Sequence, residues 1–467
     1  MYSSLQEIQQ GLESGSTTLP AVVQHYLASI EANKKLNAFL EVWADEAMER
    51  AKVLERKQPH GKLYGMVIGL KDNICYKGHK VSASSKILEG FTSIYSATVV
   101  ERLLAEDAII IGRLNCDEFA MGSSNENSAY GNVLNAVDNG RVPGGSSGGS
   151  AVAVKAGMCL ATLGSDTGGS IRQPAAFCGV VGYKPTYGRV SRYGLIAYAS
   201  SFDQIGPLTN TVADAALLME VIAGADEYDS TALTSGVPSY TQEKYEGKAK
   251  IAILANTVTN PGNSPDVLAA CEQTIAQLRA DGHTVEEVPF DMIDYLIPVY
   301  YVLSTAEASS NLARFDGVHY GYRSPNATDM DSVYKLSRSE GFGREVQNRI
   351  MLGTFVLSAG YYDAYYSRAQ KVRRMLSDQM TKIYEQYDFI LGPTAPTVAF
   401  KFGEKSGDPT QMYLADIYTV LANIVGAPAI SLPLATDGAG LPIGVQLMAA
   451  KNEDAKLMAF AKQMMGR

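Results

Sequence analysis

The chain has 467 residues, of which 46% are hydrophobic and 19% are charged, and its formal net charge is −9. This composition is typical of a globular protein with a substantial buried core. The acidic balance argues against broad, non-specific binding of nucleic acid or of anionic lipid.

The first 60 residues predict helices that pack as an arm. Ser4 and Glu7 form a capping-box pattern at the start of an apolar stripe of Leu5, Ile8 and Leu12. The N-terminus lacks a basic start followed by an apolar stretch, and no segment approaches the ~18 apolar residues of a membrane span. We therefore expect a protein that is neither exported nor inserted in a membrane.

From residue 63 onward, short apolar runs alternate with helical stretches. The runs 66–70, 108–112 and 160–164 are bounded by turn residues, and 99–105 is typical of a helix. This alternation favours a layered α/β fold.

The same pattern continues in the second half of the chain. Strands are predicted at 250–254 and 284–288, and the helix between them begins after Ser264 and closes at Gly282. A long helix over residues 362–387 then leads into a strand at 388–391.

No internal repeat, low-complexity tract or flexible linker interrupts the sequence. We therefore predict a single domain over residues 1–467, in which 1–60 is a helical arm. Residues 61–205 would form the catalytic core, and 206–467 the remainder of the core with insertions that form a substrate pocket.

The cysteines indicate a reducing compartment. No two of the five form a Cys-x-x-Cys pair (Cys75, Cys116, Cys159, Cys178 and Cys271). Cys159 lies in a core-like apolar run. Reduced cysteines in a cytoplasmic protein are the simplest interpretation.

Two glycine-serine segments carry the strongest functional signal. Residues 143–150 read Pro-Gly-Gly-Ser-Ser-Gly-Gly-Ser, and residues 166–172 read Asp-Thr-Gly-Gly-Ser-Ile-Arg. Glycine adopts backbone conformations closed to other residues and lets a ligand approach the main chain, whose N–H groups then face developing negative charge. This arrangement indicates acyl chemistry.

One interpretation is a serine hydrolase with Ser146 as its nucleophile, because the first segment fits the G-x-S-x-G elbow. An elbow needs a buried strand directly before the serine, whereas residues 135–143 are polar and broken by glycine and proline. A base is also missing, because no histidine lies in a glycine-bounded or acidic motif (His25, His60, His79, His283 and His319).

A second interpretation is a phosphate cradle, in which the first segment opens a helix over residues 150–156. The signal is weak, because the sequence has no G-x-x-x-x-G-K-[ST] motif. There is also no acidic residue about 20 positions beyond a G-x-G-x-x-G.

A third interpretation needs no histidine. Lys71 follows the apolar run 66–70, where desolvation would lower its pKa and let it act as a neutral base. Taken alone, a lysine in this position is more typical of a structural ion-pair partner.

Together with Lys71, the two segments resemble the amidase signature family, whose motif runs through residues 144–151 and 164–175. The resemblance implies a layered α/β/α fold around a large central mixed β-sheet. It also implies a Ser-cisSer-Lys triad, in which Ser170 attacks the amide through an acyl-enzyme and Lys71 is the base. Ser146, after a cis peptide bond from Gly145, would be the bridging serine.

The same resemblance implies the oxyanion hole and the substrate pocket. Stretches outside the motif resemble those family members that release ammonia from glutamine within a tRNA-dependent amidotransferase (115–128, 182–191, 201–207, 340–346, 352–355 and 392–396). Arg349 would bind the carboxylate of glutamine, Asp416 its ammonium group, and Tyr300 would close the pocket. The oxyanion would be met by backbone N–H groups of the turn before Ser170 (Thr167, Gly168 and Gly169).

The resemblance further implies a heterotrimer with two partners, the B and C subunits. The B subunit would use ATP and Mg²⁺ and hold most of the mischarged tRNA, whereas this chain would bind no cofactor or metal of its own. The acceptor, Glu-tRNA(Gln), Asp-tRNA(Asn) or both, is left open. Two alternatives also stay open: a free-standing amidase acting on another small amide, and a glycine-loop binding protein without catalysis.

Overall fold

The computed structural model describes residues 2–405, 407 and 409–466. Within them, eleven strands form a single mixed sheet. The strands are β1 Phe39–Val42, β2 Val67–Lys71, β3 Ile109–Leu114, β4 Ala161–Asp166, β5 Val181–Lys184, β6 Gln204–Thr209, β7 Lys250–Leu254, β8 Thr284–Val288, β9 Phe389–Pro393, β10 Ala429–Thr436 and β11 Pro442–Ala449.

The strand order is β1-β3-β2-β4-β6-β5-β10-β11-β9-β7-β8. Strand β2 pairs in parallel with β3 and β4, and β7 pairs in parallel with β8 and β9, whereas the other neighbouring strands are antiparallel. The carboxyl ends of β2 and β4 therefore meet at one edge of the sheet, as in any parallel pair.

Helices cover both faces of this sheet. In the described residues they are α1 Leu5–Glu13, α2 Leu19–Ala32, α3 Ala44–Glu55, α4 Thr98–Ala105, α5 Gly148–Lys155, α6 Arg172–Cys178, α7 Val212–Ile222, α8 Pro265–Ala280, α9 Ile293–Asn311, α10 Met330–Gly341, α11 Arg344–Val356, α12 Ser367–Tyr384, α13 Pro409–Leu414, α14 Val420–Val425 and α15 Asp454–Met465.

The burial of β7 shows how the two layers arise. Ile251 and Ile253 enter the core cluster on one face, and Ala252 and Leu254 enter the cluster on the other. Because successive side chains of a strand point to opposite faces, a strand covered on both sides is apolar on both of its faces. In β7 this holds after Lys250, which is exposed. The layered α/β/α fold predicted from the sequence is confirmed.

Most predicted elements are present with shifts of one or two residues at their ends. Helix α1 begins after Ser4, whose Oγ accepts the N–H of Glu7 at 3.3 Å. Helix α8 begins after Ser264 with Pro265 in its first turn, and Gly282 follows its end with a φ of 85°.

Two elements differ from the prediction. Residues 39–42, expected within a helical arm, form β1 and pair antiparallel with β3 at the edge of the sheet. The helix expected over 362–387 begins with a π-helical turn at Tyr362–Tyr366 before α12. Periodicity alone detects neither, because a four-residue edge strand and a one-turn π-helix are shorter than the windows over which it is measured.

The five cysteines are all buried free thiols. Among the described helices, none has the length and the apolar character needed to cross a membrane.

Candidate active site

The two glycine-serine segments form turns at the edge where β2 and β4 end. Lys71 is the last residue of β2, Ser146 lies in the loop that opens α5, and Ser170 lies between β4 and α6. Lys71 and Ser146 are fully buried, and Ser170 is 8% exposed. Three residues that are 75 and 24 positions apart in sequence (71 to 146, 146 to 170) are thereby placed at one edge of the sheet.

Hydroxyl groups surround the Lys71 amine. Its Nζ lies 2.6 Å from Ser146 Oγ and 2.9 Å from the Oγ atoms of both Ser147 and Ser165. No carboxylate in the described part of the chain forms an ion pair with it (compare the salt bridges of Arg113, Arg172 and Arg192). Burial lowers the pKa of Lys71 to about 8, because an ammonium without counter-charge is costly in a protein interior.

The turn that carries Ser146 is fixed from two sides. The Gly145–Ser146 peptide bond is cis, as the family resemblance implied. The N–H of Gly145 donates to Gln173 Oε1 at 3.0 Å, and Ser146 C=O accepts the N–H of Asp117 at 3.1 Å. A side chain at Gly145 would overlap the Asp117 carboxylate and the backbone of the neighbouring loop, so only glycine fits there.

A buried ion pair holds the Ser170 turn. Asp166 Oδ1 accepts the N–H of Gly169 at 2.8 Å, and Oδ2 accepts that of Ile171 at 3.2 Å. Both oxygens also accept from Arg172, each at 3.0 Å. Asp166 and Arg172 are fully buried, and the charge and hydrogen bonds of Arg172 lower the pKa of Asp166 to about 2 against the effect of burial.

The hydrogen bonds of Asp166 determine which backbone N–H groups of the expected oxyanion hole are free. The N–H of Gly169 is committed to Asp166, whereas those of Thr167 and Gly168 form no hydrogen bond with the described residues. The serine turns also touch each other, because Ser147 N–H donates to Ser170 C=O at 3.1 Å. The Oγ of Ser170, the expected nucleophile, has no hydrogen-bond partner within the described chain.

The three residues expected to bind substrate lie together beside the Ser170 turn. The Tyr300 ring covers Gly168 so closely that a Cβ there would lie 2.5 Å from the phenol oxygen. The neighbouring Tyr301 lies between Arg349 and Asp416. Its ring centre is 5.2 Å from the Arg349 guanidinium, and its hydroxyl is 3.5 Å from Asp416 Oδ2. The structure therefore brings Tyr300, Arg349 and Asp416 to one place.

Arg349 is held by two partners that the sequence did not reveal. Its Nη1 donates to the hydroxyl of Tyr198 at 2.8 Å, and its Nε donates to Glu345 Oε1, also at 2.8 Å. Both contacts leave Nη2 free of protein partners in the described residues. The guanidinium thus keeps an oriented donor for a carboxylate.

Asp416 accepts a hydrogen bond from Ser123 Oγ at 2.6 Å. Burial raises the pKa of Asp416 to about 7, and the Ser123 hydrogen bond and the charge of Arg349 oppose that rise. An ammonium group bound next to it would favour the ionised form.

Several site residues were missed by the sequence analysis. Ser147, Ser165, Asn73, Ser123 and Tyr198 contact Lys71 or the pocket residues directly or through one neighbour. Ser147 and Ser165 lie inside the two motifs, so their position was a signal. Nothing in the residue type or spacing of Tyr198, one of 27 tyrosines, distinguishes it.

The histidines do not enter the site. Their contacts in the described structure include Tyr2 and Tyr26 for His25, Gln58 for His60, Glu46 for His79, Ala249 for His283 and Asp316 for His319. No group of three or more His, Cys, Asp or Glu side chains is arranged to hold a metal ion in the part of the chain that the structure describes.

Comparison with known proteins gives the class to which this fold and site belong. The sequence model of the amidase family matches residues 21–458, so the chain belongs to the amidase family.

Within the family the relatives are specific. The chain is 50% identical, over 99% of its length and 97% of the relative's, to the A subunit of glutamyl-tRNA(Gln) amidotransferase from Chlorobium luteolum. It is 51% identical to the protein of the same name from Chlorobium phaeobacteroides over 98% of both chains. The crystal structure of the A subunit from Thermotoga maritima superposes with a TM-score of 0.79 at 43% identity, covering 95% of this chain and 90% of that one.

Proposed function

We propose that this chain is the glutamine-hydrolysing subunit of a glutamyl-tRNA(Gln) amidotransferase. The observation that carries the proposal is the 2.6 Å contact between the buried Lys71 amine and Ser146, beside the turn of Ser170. It occurs in a chain about half identical, over nearly its whole length, to proteins of that name.

The proposed chemistry uses the three residues in series. Neutral Lys71 accepts the proton of Ser146, whose hydroxyl in turn accepts the proton of Ser170. Ser170 Oγ then attacks the carboxamide carbon of glutamine. The tetrahedral intermediate collapses as its nitrogen takes a proton back through Ser146, ammonia leaves, and a glutamyl ester on Ser170 remains. Water hydrolyses that ester with the same groups acting in reverse.

The oxyanion is stabilised by the backbone N–H groups of Thr167 and Gly168, and Gly169 supports the turn through Asp166. Loss of one such donor typically costs about 3 kcal/mol of transition-state stabilisation. The Gly169 N–H is assigned this supporting role because it already donates to the Asp166 carboxylate at 2.8 Å. A backbone N–H has a single proton to donate, so it cannot form a second strong hydrogen bond to the oxyanion.

Glutamine is recognised at both of its charged ends. Arg349 donates to the α-carboxylate, Asp416 accepts from the α-ammonium, and Tyr300 covers the turn through which the side-chain amide reaches Ser170. Because all three are buried, each charge of the substrate is paired away from water, where a charge-assisted hydrogen bond is strong.

The relatives are named as subunits of an amidotransferase, which supports a role within a multi-subunit enzyme. We propose two partners, the B and C subunits, in a heterotrimer in the cytoplasm. The B subunit would hold ATP, Mg²⁺ and most of the mischarged tRNA and would receive the ammonia. The formal charge of −9 on this chain is consistent with a partner carrying the contacts to tRNA.

The experiment is a glutaminase assay of the chain assembled with its partner subunits. Ser170→Ala and Lys71→Ala should lower kcat by about a thousandfold or more, and Arg349→Ala should raise the KM for glutamine. Ser150→Ala is the matched control, because Ser150 is a fully buried serine of the same motif; it should leave kcat unchanged.

The results of this assay distinguish the proposed function from its alternatives. Full activity in Ser170→Ala would overturn the triad. A wild-type assembly that ignores glutamine but hydrolyses another small amide would favour a free-standing amidase. An unchanged KM in Arg349→Ala would remove the substrate assignment and leave the triad standing.

A further inference from the structure

Asp203 is a buried carboxylate that the mechanism above does not use. It is 3% exposed. Its Oδ1 accepts the hydroxyl of Thr167 at 2.7 Å, and its Oδ2 accepts the N–H groups of Tyr198 at 2.9 Å and Ala199 at 3.1 Å. One carboxylate therefore joins the oxyanion turn to the loop that contains Tyr198.

On the side of the oxyanion turn, the sheet sets this contact. Asp166, the last residue of β4, pairs with Gln204, the first residue of β6. Thr167 and Asp203 are the next residues outward on these two strands, so they face each other across the end of the pair. The hydroxyl of Thr167 is tied to Asp203, which fixes the orientation of the residue whose N–H faces the oxyanion.

On the other side, Tyr198 reaches the arginine of the substrate pocket. Its hydroxyl accepts Arg349 Nη1 at 2.8 Å and donates to Ser304 Oγ at 3.1 Å. The Arg349 guanidinium also lies 5.6 Å from the centre of the Tyr198 ring. Tyr198 is 1% exposed, so these contacts are made away from bulk water. The direction of Arg349 therefore depends on where Tyr198 lies.

Asp203 acts as an acceptor when it is ionised. Burial raises its pKa to about 6, while the bonds from Thr167, Tyr198 and Ala199 oppose that rise. Above that pH the carboxylate has no proton to donate, and all three neighbouring donors point towards it. Asp203 is therefore hydrogen-bonded both to the oxyanion turn and to the loop that contains Tyr198.

We propose that Asp203 is a positioning residue that couples the arginine binding the substrate carboxylate to the turn that stabilises the oxyanion. The inference rests on the proposed function and adds a basis for selectivity. A substrate carboxylate bound to Arg349 further stabilises the position of Tyr198 and, through Asp203, that of Thr167. An amide without that carboxylate does not engage Arg349 and therefore lacks this stabilisation. It is hydrolysed with a lower kcat and a higher KM.

The test compares glutamine with 4-aminobutanamide, which is glutamine without its α-carboxylate, in the assembled enzyme. Thr167→Val and Tyr198→Phe each remove one hydroxyl while keeping the shape of the side chain. Each should lower kcat for glutamine by about tenfold and kcat for 4-aminobutanamide by about twofold or less. Thr167→Ser keeps the hydroxyl and should restore the kcat ratio of the two substrates.

The double variant measures the coupling directly. If Asp203 joins the two ends, Thr167→Val with Tyr198→Phe should lower kcat for glutamine no further than the more severe single change. Asp203→Asn should reduce the kcat ratio as Thr167→Val does. Its matched control is Asp454→Asn, because Asp454 is also fully buried and accepts from a tyrosine, a threonine hydroxyl and a backbone N–H, yet it lies outside the site; the ratio should not change.

Two results would overturn the inference while leaving the function intact: equal losses of kcat on both substrates, or a double variant whose loss is the product of the two single losses. If Asp203→Asn does not fold, the near-isosteric Thr167→Val and Tyr198→Phe still decide the question. A wild-type assembly without glutaminase activity would overturn the proposed function and this inference together.

Discussion

Lys71 is a buried amine surrounded by hydroxyl groups, and its protonation should control the rate. With a pKa lowered to about 8 by burial, the neutral base is a minor form at neutral pH and becomes the major form above that value. We expect kcat at saturating glutamine to rise with pH by up to about tenfold per unit and to level off above the pKa. Asp416, whose pKa is about 7, would affect mainly KM.

The check is a pH profile of kcat in wild type and in Lys71→Arg. Arginine keeps the positive charge but does not become neutral in proteins. We therefore expect Lys71→Arg to lose about a thousandfold in kcat at every pH. A wild-type kcat that stays constant from about pH 6 to about pH 9 would contradict the role of a neutral lysine.

The Asp166–Arg172 pair leads to a prediction about stability. Arg172→Ala would leave the Asp166 carboxylate buried without its counter-charge, which typically costs about 3–5 kcal/mol. Chemical denaturation should show a fall of that size in the free energy of unfolding, together with a loss of kcat because the Ser170 turn is no longer held. Arg374→Ala is the control, since Arg374 pairs with Asp378 at the surface with 79% of its side chain exposed; its effect should be within about 0.5 kcal/mol. Equal losses in the two variants would contradict the role assigned to the buried pair.

Among the secondary-structure elements, α5 shows how a motif glycine can serve packing alone. A Cβ on Gly149 would overlap the backbone carbonyls of Asn115 and Ala38, which cannot move as a side-chain end can. We expect Gly149→Ala to lower the free energy of unfolding by about 1–3 kcal/mol. Gly236→Ala, with no heavy atom within 4 Å of the added carbon, should be nearly neutral. Denaturation curves of the two variants check this, and similar midpoints would refute it.

The elements that could be predicted are those with strong local signals. Strands β7 and β8 have the bounds that the apolar runs gave, and α8 begins after Ser264 as its N-cap and proline indicated. Strand β1 could not be predicted, because its four residues are all half-buried at the sheet edge and form a strand only through pairing with β3. The strand order itself depends on contacts distant in sequence, which no local pattern contains.

The active site likewise contains residues that the sequence predicts and residues that it does not. Lys71, Ser146 and Ser170 stand in motifs whose length makes the family resemblance specific. Asp203 and Tyr198 are common residue types in a loop. Only the pairing of β4 with β6 brings Asp203 beside Thr167, and Tyr198 joins the site through Asp203 and Arg349. The commitment of the Gly169 N–H to Asp166 is likewise invisible in the sequence, because it depends on a turn geometry within four residues.

At the scale of the whole molecule, an exposed aromatic cluster is a candidate surface for the proposed partner subunits. Phe355, Tyr361 and Tyr365 are each more than 40% exposed, and their ring centres lie 4.3–6.1 Å apart. Exposed, contiguous apolar surface of this kind typically marks a protein interface. We expect Phe355→Ser to weaken co-purification with the partner subunits by about tenfold in affinity. The exposed Ile94, at 80%, supplies the control Ile94→Ser, and equal binding by both variants would exclude this surface.

The thiols report on the integrity of the whole fold. Because all five cysteines are buried and free, a thiol reagent should label almost none in the native protein and five per chain after denaturation. Rapid labelling of even one thiol in the native state would contradict the burial described above.

The directions of the hydrogen bonds between Lys71 and the surrounding hydroxyls depend on the protonation state of the lysine. An ammonium has three protons, which match the three hydroxyl oxygens of Ser146, Ser147 and Ser165 within 2.9 Å. A neutral amine has two protons and a lone pair, so one of the three contacts must reverse its direction when the proton leaves. Ser147 already directs its hydrogen at Ser165 C=O, and the shortest contact belongs to Ser146. If Ser146, the shortest of the three contacts, is the one that reverses, its hydrogen turns towards the base and a lone pair of Ser146 becomes available for the proton of Ser170.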